Sequence, residues 1–483
     1  MTSRARRTAP LWLVILAVSL PMFMATLDNL VVTTALPVLR TDLDASLEEL
    51  QWFVNAYTLS FASLMLMAVS LGDRWGRKRL FAIGIVVFTV FSVACALATE
   101  PWMLVAARAL QGAGAAALMP LSLTLLAGSV PDRLRPLAIG IWGGVSGLGV
   151  ALGPLIGGLA IESWSWHAIF WINLPVGIVA LPLVLFVLPE SFGRSVRPDV
   201  VGLLLAGLGV FAIVFAVVRG NEAGWSSPEI TVPLVAGALL LAGFLAWERR
   251  TRDPLVPLRL FRSRSFSVAN GIGLTFSFGI FGAIFILIQF LQVVQGHTPL
   301  EAGVMTMPWT LAPMVVAPLA GIVAPRVGTR LLIVVGLVFL VISLVWLAFT
   351  MSPTVEYVEM LPAFLFGGVG MGLVFAPSST AVLADIVDAD RATASGTNST
   401  IREIGVALGV AVLTAVFSGA GGQLTPTGYV DAAVPAILVG AGALVLALLI
   451  ALALPAGRLA RSPRPAGDET AAGGRTEAAK VPA

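Results

Sequence analysis

Leu71-Gly72-Asp73-Arg74-Trp75-Gly76-Arg77-Lys78-Arg79-Leu80 interrupts two long apolar runs with a dense block of charge. Arg74, Arg77, Lys78 and Arg79 are costly to bury in hydrocarbon, so they fix this turn at one membrane face, the cytoplasmic one by the positive-inside bias. Gly72 and Gly76 permit a tight reversal between two helices. Asp73 is the odd member, an acid at a helix end that can pair with the arginines or sit against the positive N-terminus of another helix. A topological anchor alone would also account for these charges.

The surrounding composition agrees with a membrane setting. The chain has 483 residues, 58% hydrophobic and 11% charged, against roughly 25% charged in soluble domains. Its 49 glycines and 30 prolines fall mostly inside apolar stretches, which membrane helices tolerate and soluble helices do not. A single cysteine, Cys95, excludes a disulfide framework or a cysteine-based metal site. His167 and His297 lie far apart in predicted loops, so neither a metal site nor a hydrolase constellation is expected. The basic balance is read as membrane topology rather than nucleic-acid binding. Arg4, Arg6 and Arg7 before the first apolar run imitate a signal peptide, but the run is too long and has no A-x-A site, so a retained helix is expected.

About 20 apolar residues cross a hydrocarbon core of about 30 Å. Spans of that kind are predicted at 11–37, 50–71, 79–99, 102–127, 136–161, 168–188, 200–218, 231–247, 266–294, 302–324, 331–350, 358–384, 394–418 and 432–454. With the N-terminus inside, every one of the 29 Lys and Arg residues falls in an inside segment except Arg40, Arg219, Arg108 and Arg402. The first two lie in outer loops and the last two within spans. An odd error in the number of spans would destroy that separation. Both termini are therefore expected in the cytoplasm, with residues 456–483 a disordered cytoplasmic tail rich in Ala, Gly, Pro and charge.

A faint repeat divides the chain. Val69 to Lys78 follows the second span, and Gly321 to Arg330 follows the tenth with Arg and Gly in matching places. Gln111-Gly-Ala-Gly114 in the fourth span likewise matches Gly367-Gly-Val-Gly370 in the twelfth. The expected architecture is all-α and polytopic: a six-helix half (1–190), an inserted helix pair with a linker (191–265) and a second six-helix half (266–455). Parallel halves around a midplane site are a transporter design.

Asp28 and Arg108 carry the chemistry. They lie about nine and seven residues from the outer ends of the first and fourth spans, depths of roughly 13 and 10 Å at 1.5 Å per residue. Alone near the centre each would cost about 2.5–3.5 kcal/mol. Similar depth and opposite sign suggest one polar cavity, with the two charges paired directly or through water. A static structural ion pair is the plainer alternative. An acid whose exposure changes can take up and release a proton, which ion-coupled transport requires. Arg402 and Glu403, about ten residues into the thirteenth span, read either as a second protonation site or as a pair snorkelling at the inner leaflet.

Two helix faces stand out. Gly143, Gly147, Gly153, Gly157 and Gly158 with Pro154 crowd the fifth span, where small residues at i, i+4 allow close helix approach and proline invites a kink. Phe278, Phe281, Phe285, Gln289 and Gln292 recur at steps of 3 and 4 in the ninth span and so share one face. Rings and amides together suit a wide pocket for apolar or cationic aromatic compounds. A packing or lipid-facing stripe fits the phenylalanines equally well.

Taken together, these stretches resemble the major facilitator superfamily, and within it the fourteen-helix drug:proton antiporters of the EmrB/QacA type. The likeness rests on Leu27-Asp28 through Pro37, Asp73 to Lys78, Arg108 to Gly114, Gly143 to Gly158, Trp52 to Tyr57 and Trp166 to Pro175. It implies that Asp28 and Arg108 couple protons, that Asp73 latches the halves by meeting the start of the thirteenth helix, and that the fifth-helix glycines prevent leak. Val69 and Pro325 depart from the pattern at the first loop position and at the second-half acid, and His167 stands where arginine is common.

The expected function is export of a lipophilic compound, cationic ones included, across the inner (plasma) membrane in exchange for protons. The partners are then that small molecule, protons and membrane lipid, with no cofactor, no metal and no nucleic acid. An exporter of an endogenous lipid or secondary metabolite has the same sequence signature. An enzyme is not expected, since no nucleophile or metal cluster falls within the spans.

Overall fold

A computed structural model describes residues 10–131, 134–193, 199–387, 390–423 and 425–455. The predicted tail therefore lies outside the described residues. The described chain is helical: α1 (Leu11–Asp42), α2 (Leu47–Trp75), α3 (Arg77–Ala96), α4 (Pro101–Ser129) and α5 (Arg135–Ser163) come first. They are followed by α6 (Ala168–Trp171), α7 (Asn173–Val187), α8 (Val200–Ala223), α9 (Pro228–Glu248) and α10 (Arg264–Gln289). The remainder is α11 (Pro299–Met305), α12 (Met307–Val327), α13 (Thr329–Thr350), α14 (Tyr357–Leu383), α15 (Arg391–Gly419) and α16 (Pro426–Ala451).

Thirteen segments are long and apolar enough to cross a bilayer, with α6–α7 and α11–α12 each counting as one. The 29-residue α5 occupies the place of the predicted fifth span and contains a shorter apolar portion, Leu152–Ser163. Two predicted spans are broken near their start, at Ile172 and Thr306, and α1 runs on through Pro37 to Asp42. α10 passes into a π turn at Phe290–Val294.

Helix contacts divide the chain into two bundles. In the first, α4 packs on α2 and α3, while α1 packs on α5 and α7. In the second, α10 packs on α15 and α16, and α13 packs on α14 and α16. The bundles meet where α2 runs along α15 and where α5 meets α11 and α12. The α8–α9 hairpin lies outside this seam, with α8 resting on both α2 and α15. Trp52 packs at a tilt against Phe211 and Phe215 at 5.6 and 6.3 Å, and Arg219 reaches Glu229 at 3.1 Å and Glu48 at 3.7 Å. The outer side of α9 presents Val232, Val235 and Leu239 to its surroundings, as a lipid-facing helix does.

The charged stretch that organises the sequence is a one-residue turn. Gly76 alone separates α2 from α3, at φ +111°, a conformation that side chains disfavour. The carboxylate of Glu190 fills the space where a Cβ would stand, 2.7 Å away. It accepts hydrogen bonds from the backbone N–H of Lys78 (2.9 Å) and Arg79 (3.2 Å), so an acid satisfies the positive start of α3. Gly328, at φ +90°, separates α12 from α13 in the same way. The repeat extends to packing: Gly84 meets Gly114 where α3 crosses α4, and Gly336 meets Gly370 where α13 crosses α14.

Candidate functional site

Asp28 on α1 sits at the centre of a buried polar cluster to which α2, α3, α4, α6 and α7 of the first bundle also contribute. Its carboxylate accepts from Arg108 Nη1 on α4, from Gln111 Nε2 (3.0 Å) and from Asn173 Nδ2 on α7 (3.0 Å). Arg108 has several partners as well. Its Nε donates to the Phe53 carbonyl on α2 at 3.0 Å, Nη1 also reaches Gln111 Oε1 at 2.8 Å, and the guanidinium lies 4.2 Å over the Tyr57 ring. Asn173 donates in turn to Ser92 Oγ on α3 (2.8 Å), which donates to the Phe170 carbonyl (3.0 Å).

Asp28, Arg108, Gln111 and Asn173 are each no more than 2% exposed. The expectation of a shared compartment is met by direct pairing, and in this conformation the compartment is closed. A buried ion pair is tolerable only when hydrogen bonds complete both charges. Here Asp28 has three side-chain donors, and the arginine has a carboxylate, an amide, a carbonyl and an aromatic face.

Several partners escaped the sequence reading. Gln111 lies one turn from Arg108 on the same face, a spacing that pairs side chains. Asn173 is an uncharged polar residue in an apolar span, a fainter signal than the charge of Asp28. In the second bundle the place matching Arg108, six residues before Gly370, holds buried Phe364. The matched pattern of helix crossings thus carries charge in the first half only.

The fifth-span face divides between two neighbours. Gly149, Gly153 and Gly157 lie against Thr26, Leu30 and Val31 of α1, on either side of Asp28. Gly158 lies against the backbone of Pro299 and Leu300, and Gly303 against the carbonyl of Pro154. One side of α5 therefore supports the Asp28 helix, and the other closes the two bundles together. Gly149 was not singled out from the sequence. Gly143 and Gly147 fall on α5 at positions whose surroundings lie outside the described residues.

Asp73 pairs with Arg77 Nε at 2.7 Å and packs on Gly193, whose N–H donates to its backbone carbonyl. Arg77 N–H donates to the Ser191 carbonyl, and Lys78 Nζ to the Leu185 carbonyl at 3.1 Å. Arg74 is exposed at the last turn of α2. These contacts bind the turn to the end of its own bundle, whereas the resemblance implied a latch onto α15. α2 does meet α15, but deeper, through Leu66 against Gly396 and Thr400 Oγ1 donating to the Ala62 carbonyl.

The aromatic face of α10 is not an open pocket in this conformation. Phe285 and Gln289 are buried, and Phe278 and Phe281 are half-buried against the core. Gln289 Nε2 donates to the Phe285 carbonyl of its own helix. Gln292 lies in the π turn that follows α10. Its amide instead donates to the Thr34 carbonyl of α1 at 2.8 Å, tying the bundles together.

Arg402 and Glu403 are not an ion pair among the described residues. Arg402 lies 4.0 Å over the Phe375 ring, while its Nε and Glu403 Oε2 are buried without hydrogen-bond partners. Adjacent helical residues diverge, so a snorkelling pair is not formed. Glu403 follows Thr400, which bonds α2, and precedes Ala407, which packs beside Leu59.

A sequence model described as Major Facilitator Superfamily matches residues 18–410, and again 270–481. The chain belongs to the Major Facilitator Superfamily. It is a multi-pass membrane transport protein and not an enzyme. It is 37% identical over 409 residues to the multidrug resistance protein Stp of Mycobacterium tuberculosis, covering 84% of this chain and 76% of that one. It is 33% identical to the tetracenomycin C resistance and export protein of Streptomyces glaucescens, covering 88% and 79%. Among solved structures, a bacterial homolog of the human lysosomal transporter Spinster superposes with a TM-score of 0.63 at 17% identity, covering 94% and 98%. That last likeness concerns the fold alone.

Proposed function

We propose that this superfamily member is a fourteen-helix drug:proton antiporter of the EmrB/QacA type, exporting lipophilic compounds from the cytoplasm by alternating access. The observation that carries the reading is the Asp28 carboxylate, buried at the level of the bilayer and held by three side-chain donors from two other helices. Protonating Asp28 removes the charge that holds Arg108, so the cluster has two arrangements that differ by one proton. Asp28 and Arg108 are the coupling residues, and the glycines of α5 let the opening of this cluster reach the interface with α11. Phe278 and Phe281 of α10 contact compound when the cleft opens.

The multi-arginine face is cytoplasmic in this reading, both termini lie inside, and the protein resides in the inner (plasma) membrane. One proton crossing 100 mV supplies about 2.3 kcal/mol, enough for roughly a fifty-fold gradient. The relative named as a resistance and export protein for tetracenomycin C supports a second cargo class, a secondary metabolite made by the producing cell, with the same antiport cycle.

The test uses acidified everted vesicles with a pH-sensitive dye and a panel of lipophilic compounds. Compound-dependent release of protons from the lumen is expected, and its absence for every transported compound contradicts antiport. Glu403, a mid-span carboxylate oxygen without a hydrogen-bond partner, is the second acid of this reading. Glu403→Gln is expected to keep the exchange and reduce its amplitude. An unchanged amplitude removes Glu403 from the cycle.

A further inference from the structure

A cavity of about 270 Å³ lies beside the seam between the bundles, bounded by α2, α8, α9, α15 and the linker after α9. Its walls are almost wholly apolar, including Leu66, Val210, Phe244, Leu255 and Ile404. At roughly 30 Å³ for a water-sized group it holds about nine such groups. It is not a part of the Asp28 cluster, with which it shares no residue.

Its position is that of a lipid chain. Gly207 on α8 is about seven residues from the helix start, a depth of roughly 10 Å. Leu245 and Phe261, two of its lining residues, are exposed at its rim. Thr397 in the wall, 1% exposed, has a buried hydroxyl oxygen with no hydrogen-bond partner. A buried hydroxyl that donates to nothing is costly, and an ester carbonyl entering the cavity would accept from it.

The rim is basic. Arg249 is one turn beyond Leu245 on the same face of the α9 extension, Arg252 precedes Leu255, and Arg262 follows Phe261. All three are exposed and have no acidic partner within 4 Å among the described residues. Arg259 is already engaged with Asp390, and Ser263 with Asp385, which holds the linker against the end of α14. The nearby acids Asp253, Asp199 and Glu248 reduce the positive charge without cancelling it. A cluster of arginines beside the end of a membrane helix attracts anionic headgroups.

We propose that this cavity binds one anionic phospholipid of the adjoining leaflet. An acyl chain fills the apolar walls, a glycerol ester accepts from Thr397, and the phosphate lies on Arg249, Arg252 and Arg262. Because α2 comes from one bundle and α15 from the other, the bound lipid touches both sides of the seam.

The full chain, purified and offered equal amounts of phosphatidylglycerol and phosphatidylcholine, is examined by native mass spectrometry. One phosphatidylglycerol is expected to be retained with about tenfold preference, a scale set by one or two charge contacts near a membrane surface. The variant Arg249→Gln/Arg252→Gln/Arg262→Gln, which changes exposed side chains alone, is expected to bring the preference near parity. Gly207→Leu, whose side chain projects into the cavity, is expected to displace the lipid. Parity in the unmodified chain, or a preference that survives the triple variant, overturns the assignment. Retention of ethidium that Gly207→Leu abolishes while phosphatidylglycerol is unaffected also overturns it, and makes the cavity part of a compound pathway.

Discussion

Asp28→Asn is expected to abolish compound-driven proton exchange while the protein still reaches the membrane. The amide keeps the shape of the side chain but offers no site for a proton and no charge for Arg108. Leaving a buried charge unpaired costs about 3–5 kcal/mol, so the single variant also loses thermal stability. Arg108→Gln is expected to lose stability for the complementary reason, since Asp28 then keeps only Gln111 and Asn173. The double variant Asp28→Asn/Arg108→Gln separates the two effects. Neutral amides can hydrogen-bond to each other and to Gln111, so the double variant is expected to recover most of the lost stability and none of the coupling. Thermal unfolding and dye-reported proton release, measured on all three, check this. Coupling that returns with stability would mean that the pair serves the fold alone.

Gly158→Leu is expected to hold the bundles apart at the face opposite the arginine-rich turn. A Cβ added there meets Leu300 Cα and the Pro299 carbonyl oxygen at 2.5 Å and Leu300 N at 2.7 Å. These are backbone atoms of α11, which cannot rotate away as a side chain can. The clash exists only while α5 and α11 are in contact, so the substitution disfavours the present conformation and leaves one with that face open. An energy difference of a few kcal/mol is enough to invert a two-state population. Spin labels at Glu162 and Glu301, exposed beside this contact, are expected to move apart, and transport to fall by about tenfold or more for a penalty above 1.4 kcal/mol. Unchanged distances with normal transport would show that the α5–α11 contact does not separate during the cycle.

Much of the fold was legible because a bilayer imposes simple rules. Apolar length fixed the crossings, and arginine placement fixed which ends share a face. The turns at Gly76 and Gly328 show that the weak repeat between residues 69–78 and 321–330 is a repeat of structure. Asp28 and Arg108 were found because an isolated charge in hydrocarbon stands out. Their company did not stand out: Gln111, Asn173 and Ser92 are uncharged, and nothing in their spacing along the chain brings α3, α4 and α7 together. Glu190 was missed for a similar reason. Its role is to fill a space created by the absent side chain of Gly76, more than a hundred residues earlier. The π turn at Phe290–Val294 was not legible, because an α-helical period was carried through the end of the α10 stripe. Asp73 pairs with Arg77, one turn further along the same stretch, a contact that its spacing allows.

Infrared difference spectra of the purified protein, recorded on adding a transported compound at constant pH, address the Asp28 carboxyl itself. If the cluster opens by protonation, the carbonyl band of a buried carboxylic acid must change in amplitude when compound binds, and that change must be missing in Asp28→Asn. A compound-induced band that persists in Asp28→Asn, or no carboxyl change in the unmodified protein, contradicts proton exchange at this site.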